Sequence, residues 1–100
     1  MNVMKTRKRT EHLEALEQIR PFDGGIIRGE MHPNGLRVSL GELPMQWATK
    51  LSALDGPLFV VFSYLTPIAW RTNAGIVIPP VKYSATTTRH QNIVKDAWSL

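Results

Sequence analysis

Residues 58–70 decide the fold: they read Leu-Phe-Val-Val-Phe-Ser-Tyr-Leu-Thr-Pro-Ile-Ala-Trp and form the most apolar stretch of the chain. Apolar side chains occupy both alternating faces over residues 58–65, which is typical of a strand that is buried on both sides and central in its sheet. Pro67 has no backbone N–H, so it predicts an interruption before a second strand over residues 68–72. Asn73-Ala74-Gly75 then predicts a turn, and residues 76–78 predict a returning strand.

The residues before this stretch predict two helices and a hairpin. Apolar residues recur every third position over residues 10–20, which indicates an amphipathic helix that ends before Pro21. A strand over residues 25–31, a turn at His32-Pro33-Asn34-Gly35 and a half-buried strand over residues 36–40 together form the predicted hairpin. Pro44 suits the first position of a second helix, which Asp55-Gly56-Pro57 closes.

The residues after it predict a last strand and a last helix. Residues 81–85 are assigned to a short strand, and the helix is expected to begin near Thr87 or Thr88. Thr88 and Gln91 have the spacing of a capping box. The predicted order is therefore α-β-β-α-β-β-β-α: a single α+β domain over residues 10–100, with helices packed on a mainly antiparallel sheet of about five strands.

Composition excludes several kinds of site. One hundred residues suffice for a single domain, and the absence of cysteine excludes disulfides, thiolate metal sites and a cysteine nucleophile. The basic N-terminus is not followed by an apolar run, so no secretory signal is expected. The longest apolar run is too short to cross a bilayer. We therefore expect a cytoplasmic protein with no membrane association.

The positive charge is concentrated in a short arm. The net charge is +4, and Lys5, Arg7, Lys8 and Arg9 account for it, since the rest of the chain has eight basic and eight acidic residues. We predict that residues 1–9 are a flexible basic arm whose four cations are candidate phosphate contacts. A tail that only promotes solubility is the alternative.

Catalytic and metal sites are not expected. Ser63 or Ser84, His90 and Asp96 could supply the residue types of a hydrolytic triad. On a helix, however, Asp96 would project about 120° away from His90, which is instead expected at the core margin, bonded to a neighbouring strand or loop. His12, His32 and His90 have no local histidine partner with metal-ligand spacing. We predict no catalytic residue, no metal and no cofactor.

Two strings of residues carry a family resemblance. Ser63-Tyr64-x-Thr66-Pro67-Ile68-Ala69-Trp70 is followed by Tyr83-Ser84-x-Thr86-Thr87-x-x-His90-Gln91. The pair resembles a family of small uncharacterised proteins of actinobacteria and of their bacteriophages and mobile elements. The resemblance covers the C-terminal half and implies a phage-type accessory protein without implying any chemistry.

These patterns favour a small non-enzymatic binding module that acts through protein–protein interaction, with a protein partner or self-association. The alternative is a nucleic-acid-binding protein that uses the basic arm. The large aromatic residues are expected in the core. The candidate binding residues are those of the two strings and their neighbours that packing does not explain: Thr66, Trp70, Arg71, Thr86, Thr87, Arg89 and His90.

Overall fold

A six-stranded sheet with strand order β1-β2-β3-β4-β5-β6 organises the chain, and every neighbouring pair is antiparallel except β1 and β2. The structure is a computed structural model that describes residues 3–100. The strands are β1 (Met4–Lys5), β2 (Phe22–Asp23), β3 (Ile27–His32), β4 (Leu58–Ser63), β5 (Thr66–Thr72) and β6 (Gly75–Val77). The helices are α1 (Arg9–Glu17), α2 (Met45–Ser52) and α3 (Ala85–Ala97). The α+β prediction is confirmed, with one strand more than expected.

The central strand is β4, as its apolar pattern predicts. All six of its residues are buried, and it lies between β3 and β5. It ends at Ser63, two residues earlier than predicted, so that only Tyr64 and Leu65 connect it to β5. Pro67 does not interrupt β5: the register shifts between Val61 and Phe62, and Pro67 lies at that irregularity, where a missing N–H is tolerated.

Each face of the sheet buries its own core. On one face α1 and α3 cover a cluster that includes Phe22, Phe59 and Ile68, and the indole Nε1 of Trp98 donates to the Leu16 carbonyl oxygen at 2.9 Å. On the other face α2 covers a cluster that includes Phe62 and Trp70. A sheet covered on both faces explains why the alternating pattern of β4 is apolar throughout.

The strand predicted over residues 36–40 does not form. These residues are a loop, and the antiparallel partners of β3 are β2 and β4. Val38 is buried and Leu40 packs beside it in the core under α2. The alternation of apolar residues therefore reflects contacts of a loop with this core, and no backbone ladder accompanies it.

The strand predicted over residues 81–85 is also absent, and α3 begins earlier than predicted. Its first residue is Ala85, and Ser84 is the N-cap, because the Ser84 Oγ accepts a hydrogen bond from the Thr87 N–H at 3.1 Å. The predicted capping box of Thr88 and Gln91 is therefore wrong. The Gln91 side-chain amide instead donates to the Val81 carbonyl oxygen at 3.1 Å, which fastens residues 78–84 to the helix.

The basic arm predicted over residues 1–9 is, from residue 4 onward, part of the fold. Met4 and Lys5 pair with β2, Thr6 is buried, and Arg9 is the first residue of α1. The Glu11 carboxylate accepts from the backbone N–H groups of Arg7 and Lys8 at 2.8 and 3.0 Å, and these bonds lower the pKa of Glu11. Residues 1 and 2 lie outside the described residues.

Candidate functional site

A cleft of about 410 Å³ opens at the end of the sheet where β4 turns into β5. Three parts of the chain line it: the loop before α2, the turn where β4 ends and β5 begins, and the residues that lead into the first turn of α3. Every side chain that lines it carries a polar group, namely Glu42, Ser63, Tyr64, Thr66, Tyr83, Ser84 and Thr87. We call this the hydroxyl cleft.

A chain of hydrogen-bonded hydroxyls forms its floor. Ser63 Oγ lies 3.0 Å from Thr87 Oγ1 and 2.7 Å from His90 Nδ1, and Ser84 Oγ lies 3.2 Å from Thr87 Oγ1. Thr87 and His90 are three residues apart and therefore share a face of α3. This network fixes α3 against the last residue of β4, and it confirms the expectation that His90 bonds a neighbouring strand.

The Thr66 hydroxyl holds the loop before α2 against the hairpin. It accepts a hydrogen bond from the Glu42 backbone N–H at 2.9 Å. Gly41 makes this approach possible, because its φ of 51° favours glycine and a Cβ there would lie 2.5 Å from the Leu65 carbonyl oxygen. The Glu42 side chain is consequently placed on the hydroxyl cleft.

Two polar groups of the hydroxyl cleft lack a partner among residues 3–100. The Tyr83 hydroxyl is buried and forms no hydrogen bond. Glu42 is exposed to solvent, and its carboxylate takes part in none of the ion pairs of the described chain. Burial raises the pKa of Tyr83, and the negative charge of Glu42 raises it further. The phenol therefore stays protonated at neutral pH.

Large apolar side chains are exposed beside the hydroxyl cleft. Tyr64 and Leu65 form the turn between β4 and β5 and are 51% and 66% exposed. Ile26, in the turn between β2 and β3, is 45% exposed, and its carbonyl oxygen accepts from the Tyr64 N–H at 2.8 Å. We call these three residues the apolar tip.

The backbone of the apolar tip is strained. Tyr64 has a φ of 58°, in the left-handed region that costs an ordinary L-residue about 1–2 kcal/mol. Two-residue hairpin turns usually place Gly, Asn or Asp at such a position. A tyrosine in this conformation is an outlier of the type that clusters at functional sites.

The candidate residues from sequence do not all converge. Thr87 and His90 bond to Ser63, and Thr66 is its partner in the β4–β5 pair, whereas Trp70 is buried in the core under α2. The guanidinium of Arg71 lies 5.1 Å from the ring centre of Trp98, on the other core. Thr86 and Arg89 lie on α3 with a 3.3 Å hydrogen bond from Arg89 Nη2 to Thr86 Oγ1.

A second cleft, of about 390 Å³, separates α1 from α3. Arg9, His12, Arg89 and His90 line it, so it joins one residue of the basic arm to two candidates from α3. His12 Nδ1 lies 2.8 Å from Thr6 Oγ1. Burial lowers the pKa of both histidines; the charges of His12 and Arg89 add to this effect at His90, and Glu11 opposes it at His12. We call this the basic cleft.

The four cations of the arm differ in their surroundings. Lys5 Nζ forms an ion pair with Asp23 at 2.9 Å, and this contact lowers the pKa of Asp23. Arg9 forms an ion pair with Asp96. The side chains of Arg7 and Lys8 are exposed at the start of α1. Of the four, only Arg9 lines the basic cleft.

The geometry that would be needed for a triad is incomplete. Ser63 and His90 are in hydrogen-bond contact, but Asp96 pairs with Arg9 instead of orienting His90. Ser63 is only 1% exposed, which leaves its hydroxyl little access to a substrate. Residues 3–100 contain no cluster of three or more potential metal ligands. The absence of an enzymatic activity stays a prediction.

Sequence reasoning missed Glu42, Ile26 and Leu65. Residues 64 and 65 are apolar and extend the pattern of β4, which conceals the two-residue turn that they form. The signal that could have revealed it is Pro67, which requires an edge, an irregularity or the start of a strand. No sequence pattern points to Glu42, because its position at the cleft depends on how the loop before α2 packs on the turn between β4 and β5.

A family model matches residues 2–97 of this chain and describes a family of unknown function (DUF8033). The chain belongs to this family. No curated protein and no solved structure matches it. The resemblance to an uncharacterised family is thus confirmed, and membership assigns no activity to the two clefts. Within the described part of the chain, no helix is both long and apolar enough to cross a membrane.

Proposed function

We propose that this protein is a small non-enzymatic binding module of phage type, which docks a protein of the bacterial host cytoplasm at the end of its sheet. The phage origin rests on the resemblance of residues 63–70 and 83–91. The docking surface is the apolar tip with the hydroxyl cleft beside it. The bound segment of the partner supplies apolar side chains to Ile26 and Leu65 and polar groups to the cleft.

The observation that carries the proposal is the conformation and exposure of Tyr64. A turn at this position would be more stable with Gly or Asn. The side chains of the apolar tip are not buried in the core of the domain. Tyrosine provides a large, rigid, amphipathic contact surface and is enriched at the centres of interfaces. A strained, exposed aromatic residue next to a polar cleft therefore supports a recognition role.

Capture of partners by the full chain tests this proposal. Tagged wild-type protein and the variants Leu65→Ser and Leu36→Ser are incubated with nuclease-treated bacterial lysate. Leu36 is the matched control: it is 72% exposed, and it follows the other end of β3, where His32 pairs with Leu58. We expect a protein that wild type and Leu36→Ser retain and Leu65→Ser loses. Equal retention by all three variants would contradict docking at the apolar tip.

Self-association is decided by sedimentation equilibrium. The proposal predicts the mass of one chain, 11.3 kDa, for the wild type at micromolar concentration. A dimer that Leu65→Ser converts to a monomer would assign the apolar tip to a second copy of this chain and overturn the hetero-partner proposal.

A nucleic-acid-binding function is the second candidate, because Arg9 and Arg89 line one cleft with two histidines. Cations that neutralise phosphates make affinity fall steeply with salt. Fluorescence anisotropy of labelled duplex DNA, measured over a salt series, tests this function. Arg89→Ala is expected to reduce the slope of log affinity against log salt by the equivalent of about one phosphate contact. Arg37→Ala, at an exposed arginine, is the control. Binding that is absent at low salt, or that both variants retain equally, would exclude the basic cleft.

A further inference from the structure

The hydroxyl cleft combines an unneutralised carboxylate with several hydroxyl oxygens. None of the side chains that line it is cationic. The Glu42 carboxylate has no ion-pair partner within residues 3–100. Hydroxyl oxygens can accept as well as donate, and each has two lone pairs. The cleft therefore offers a negative charge to whatever occupies it, with the exposed Ser84 hydroxyl as a further acceptor.

The Tyr83 hydroxyl is a second and independent indication of a ligand. It is the one buried side-chain polar atom of residues 3–100 that has no hydrogen-bond partner. A buried polar group in this state is unfavourable unless something else completes its bonding. Tyr83 lines the cleft, and the charge of Glu42 acts on its phenol, so the carboxylate and the unpartnered hydroxyl belong to the same site.

A guanidinium group matches this arrangement. It is planar, always charged and carries five N–H donors in a fixed fork, so that it can pair with a carboxylate and still donate to neighbouring hydroxyls. Its face also stacks on aromatic rings, and Tyr64 borders the cleft. We infer that the hydroxyl cleft binds the guanidinium of an arginine side chain, with Glu42 as its counter-ion and the Tyr83 hydroxyl as an acceptor.

This inference deepens the proposed function, on which it rests: the arginine belongs to the docked partner. The two can nevertheless fail separately. Partner capture depends on Leu65, whereas recognition of arginine depends on Glu42 and is measured with a small molecule. If the small molecule does not bind and capture still requires Leu65, the arginine site is wrong and the docking surface stands. If the small molecule binds and no captured protein depends on Leu65, the docking surface is wrong.

The test is an NMR titration of the full, ¹⁵N-labelled chain with N-acetyl-L-arginine amide. N-acetyl-L-citrulline amide is the matched neutral probe, because it keeps the shape of the side chain and lacks its charge. We expect saturable shifts of the amide signals of Glu42, Ser84 and Thr87 with the arginine probe alone. Equal shifts with the citrulline probe, or shifts confined to other residues, would overturn the inference.

Three variants complete the experiment. Glu42→Gln is expected to weaken the arginine probe by about two- to fivefold, the effect of losing a solvent-exposed ion pair. Tyr83→Phe is expected to weaken it by about tenfold, since the lost hydrogen bond is one to a charged group. Glu17→Gln removes a carboxylate of α1 outside the cleft and should leave the affinity unchanged. Wild-type affinity in Glu42→Gln would refute the assignment of the counter-ion.

Discussion

Ser63 and His90 are joined by a hydrogen bond of 2.7 Å between Oγ and Nδ1, which connects the last residue of the central strand to α3. The same Ser63 oxygen lies 3.0 Å from the Thr87 hydroxyl. Both bonds lie between the basic cleft, which His90 lines, and the hydroxyl cleft, which Ser63 and Thr87 line. The contact thus determines how α3 is positioned beside both candidate surfaces.

Removal of the Ser63 hydroxyl should destabilise the fold. Ser63→Ala leaves His90 Nδ1 without this partner and interrupts the chain of hydroxyls, which should lower the free energy of unfolding by about 1–3 kcal/mol. Urea denaturation followed by circular dichroism measures the change. Ser39→Ala, at an exposed serine, is the control and should stay within about 0.5 kcal/mol of wild type. Equal stability of the two variants would mean that the Ser63–His90 bond contributes nothing.

Stability should decrease as the pH falls below neutrality. Burial lowers the pKa of His90 and His12 below the ordinary value of 6.5, so the unfolded chain binds more protons than the folded chain once the pH drops below that value. The stabilisation from the two neutral rings is complete above about pH 6.5 and is lost as the pH falls through the lower, folded values.

Urea denaturation between pH 7.5 and pH 5 measures this dependence. This range keeps Glu11 and Asp23, whose pKa values are lowered from 4.5 and 3.8, ionised in the folded state. The double variant His12→Gln/His90→Asn should flatten the profile, because neither replacement titrates. A wild-type stability that is constant or rises towards pH 5 would contradict the depressed pKa values.

Gly35 is required by a close backbone approach. Its N–H donates to the Leu54 carbonyl oxygen at 2.9 Å, and a Cβ at this position would overlap the Leu51 carbonyl oxygen at the end of α2. Gly35→Ala should therefore destabilise the protein by about 3 kcal/mol or more. Gly56→Ala is the matched control, since a Cβ there contacts nothing, and it should leave the thermal midpoint nearly unchanged. Similar midpoints for both variants would show that the loop does not pack on α2 as described.

Tyr83→Phe should separate stability from recognition. It removes the unpartnered buried hydroxyl, so the free protein should become more stable by up to about 1 kcal/mol even as the affinity for the arginine probe falls. Tyr64→Phe removes an exposed hydroxyl and serves as the control for stability, with a change within about 0.5 kcal/mol. A clear loss of stability in Tyr83→Phe, measured by urea denaturation, would mean that its hydroxyl has a partner in the free protein.

Sequence patterns predicted the elements whose periodicity is set by the core. The apolar faces of residues 58–63 placed β4 in the centre of the sheet, and the spacing of Leu13 and Leu16 placed α1. The same periodicity predicts strands wrongly where a loop buries apolar residues. Val38 alternates as a strand residue would, but its burial comes from contact with the core under α2.

The candidate site could be predicted only in part, because it is assembled from distant segments. Thr66, Thr87 and His90 belong to the two family strings and are not explained by core packing. Thr87 and His90 do bond to Ser63, and Thr66 pairs with it between β4 and β5. Glu42 and Ile26 reach the same end of the sheet through the packing of two loops, which no local pattern encodes. A serine before a helix is a local N-cap signal, and Ser84 is the N-cap of α3. The spacing of Thr88 and Gln91 also fits a capping box, so the sequence favoured the wrong start of the helix.

The central claim is that Tyr64 is kept in an unfavourable conformation for the sake of binding, and Tyr64→Asn tests it most directly. Asparagine adopts a positive φ more readily than tyrosine, so the variant should fold with a free energy of unfolding equal to that of wild type or higher by up to about 1 kcal/mol. The same variant should lose the partner that wild type and Leu36→Ser retain. Denaturation and capture measured on one preparation give both quantities. Retained capture by a stably folded Tyr64→Asn would contradict the account.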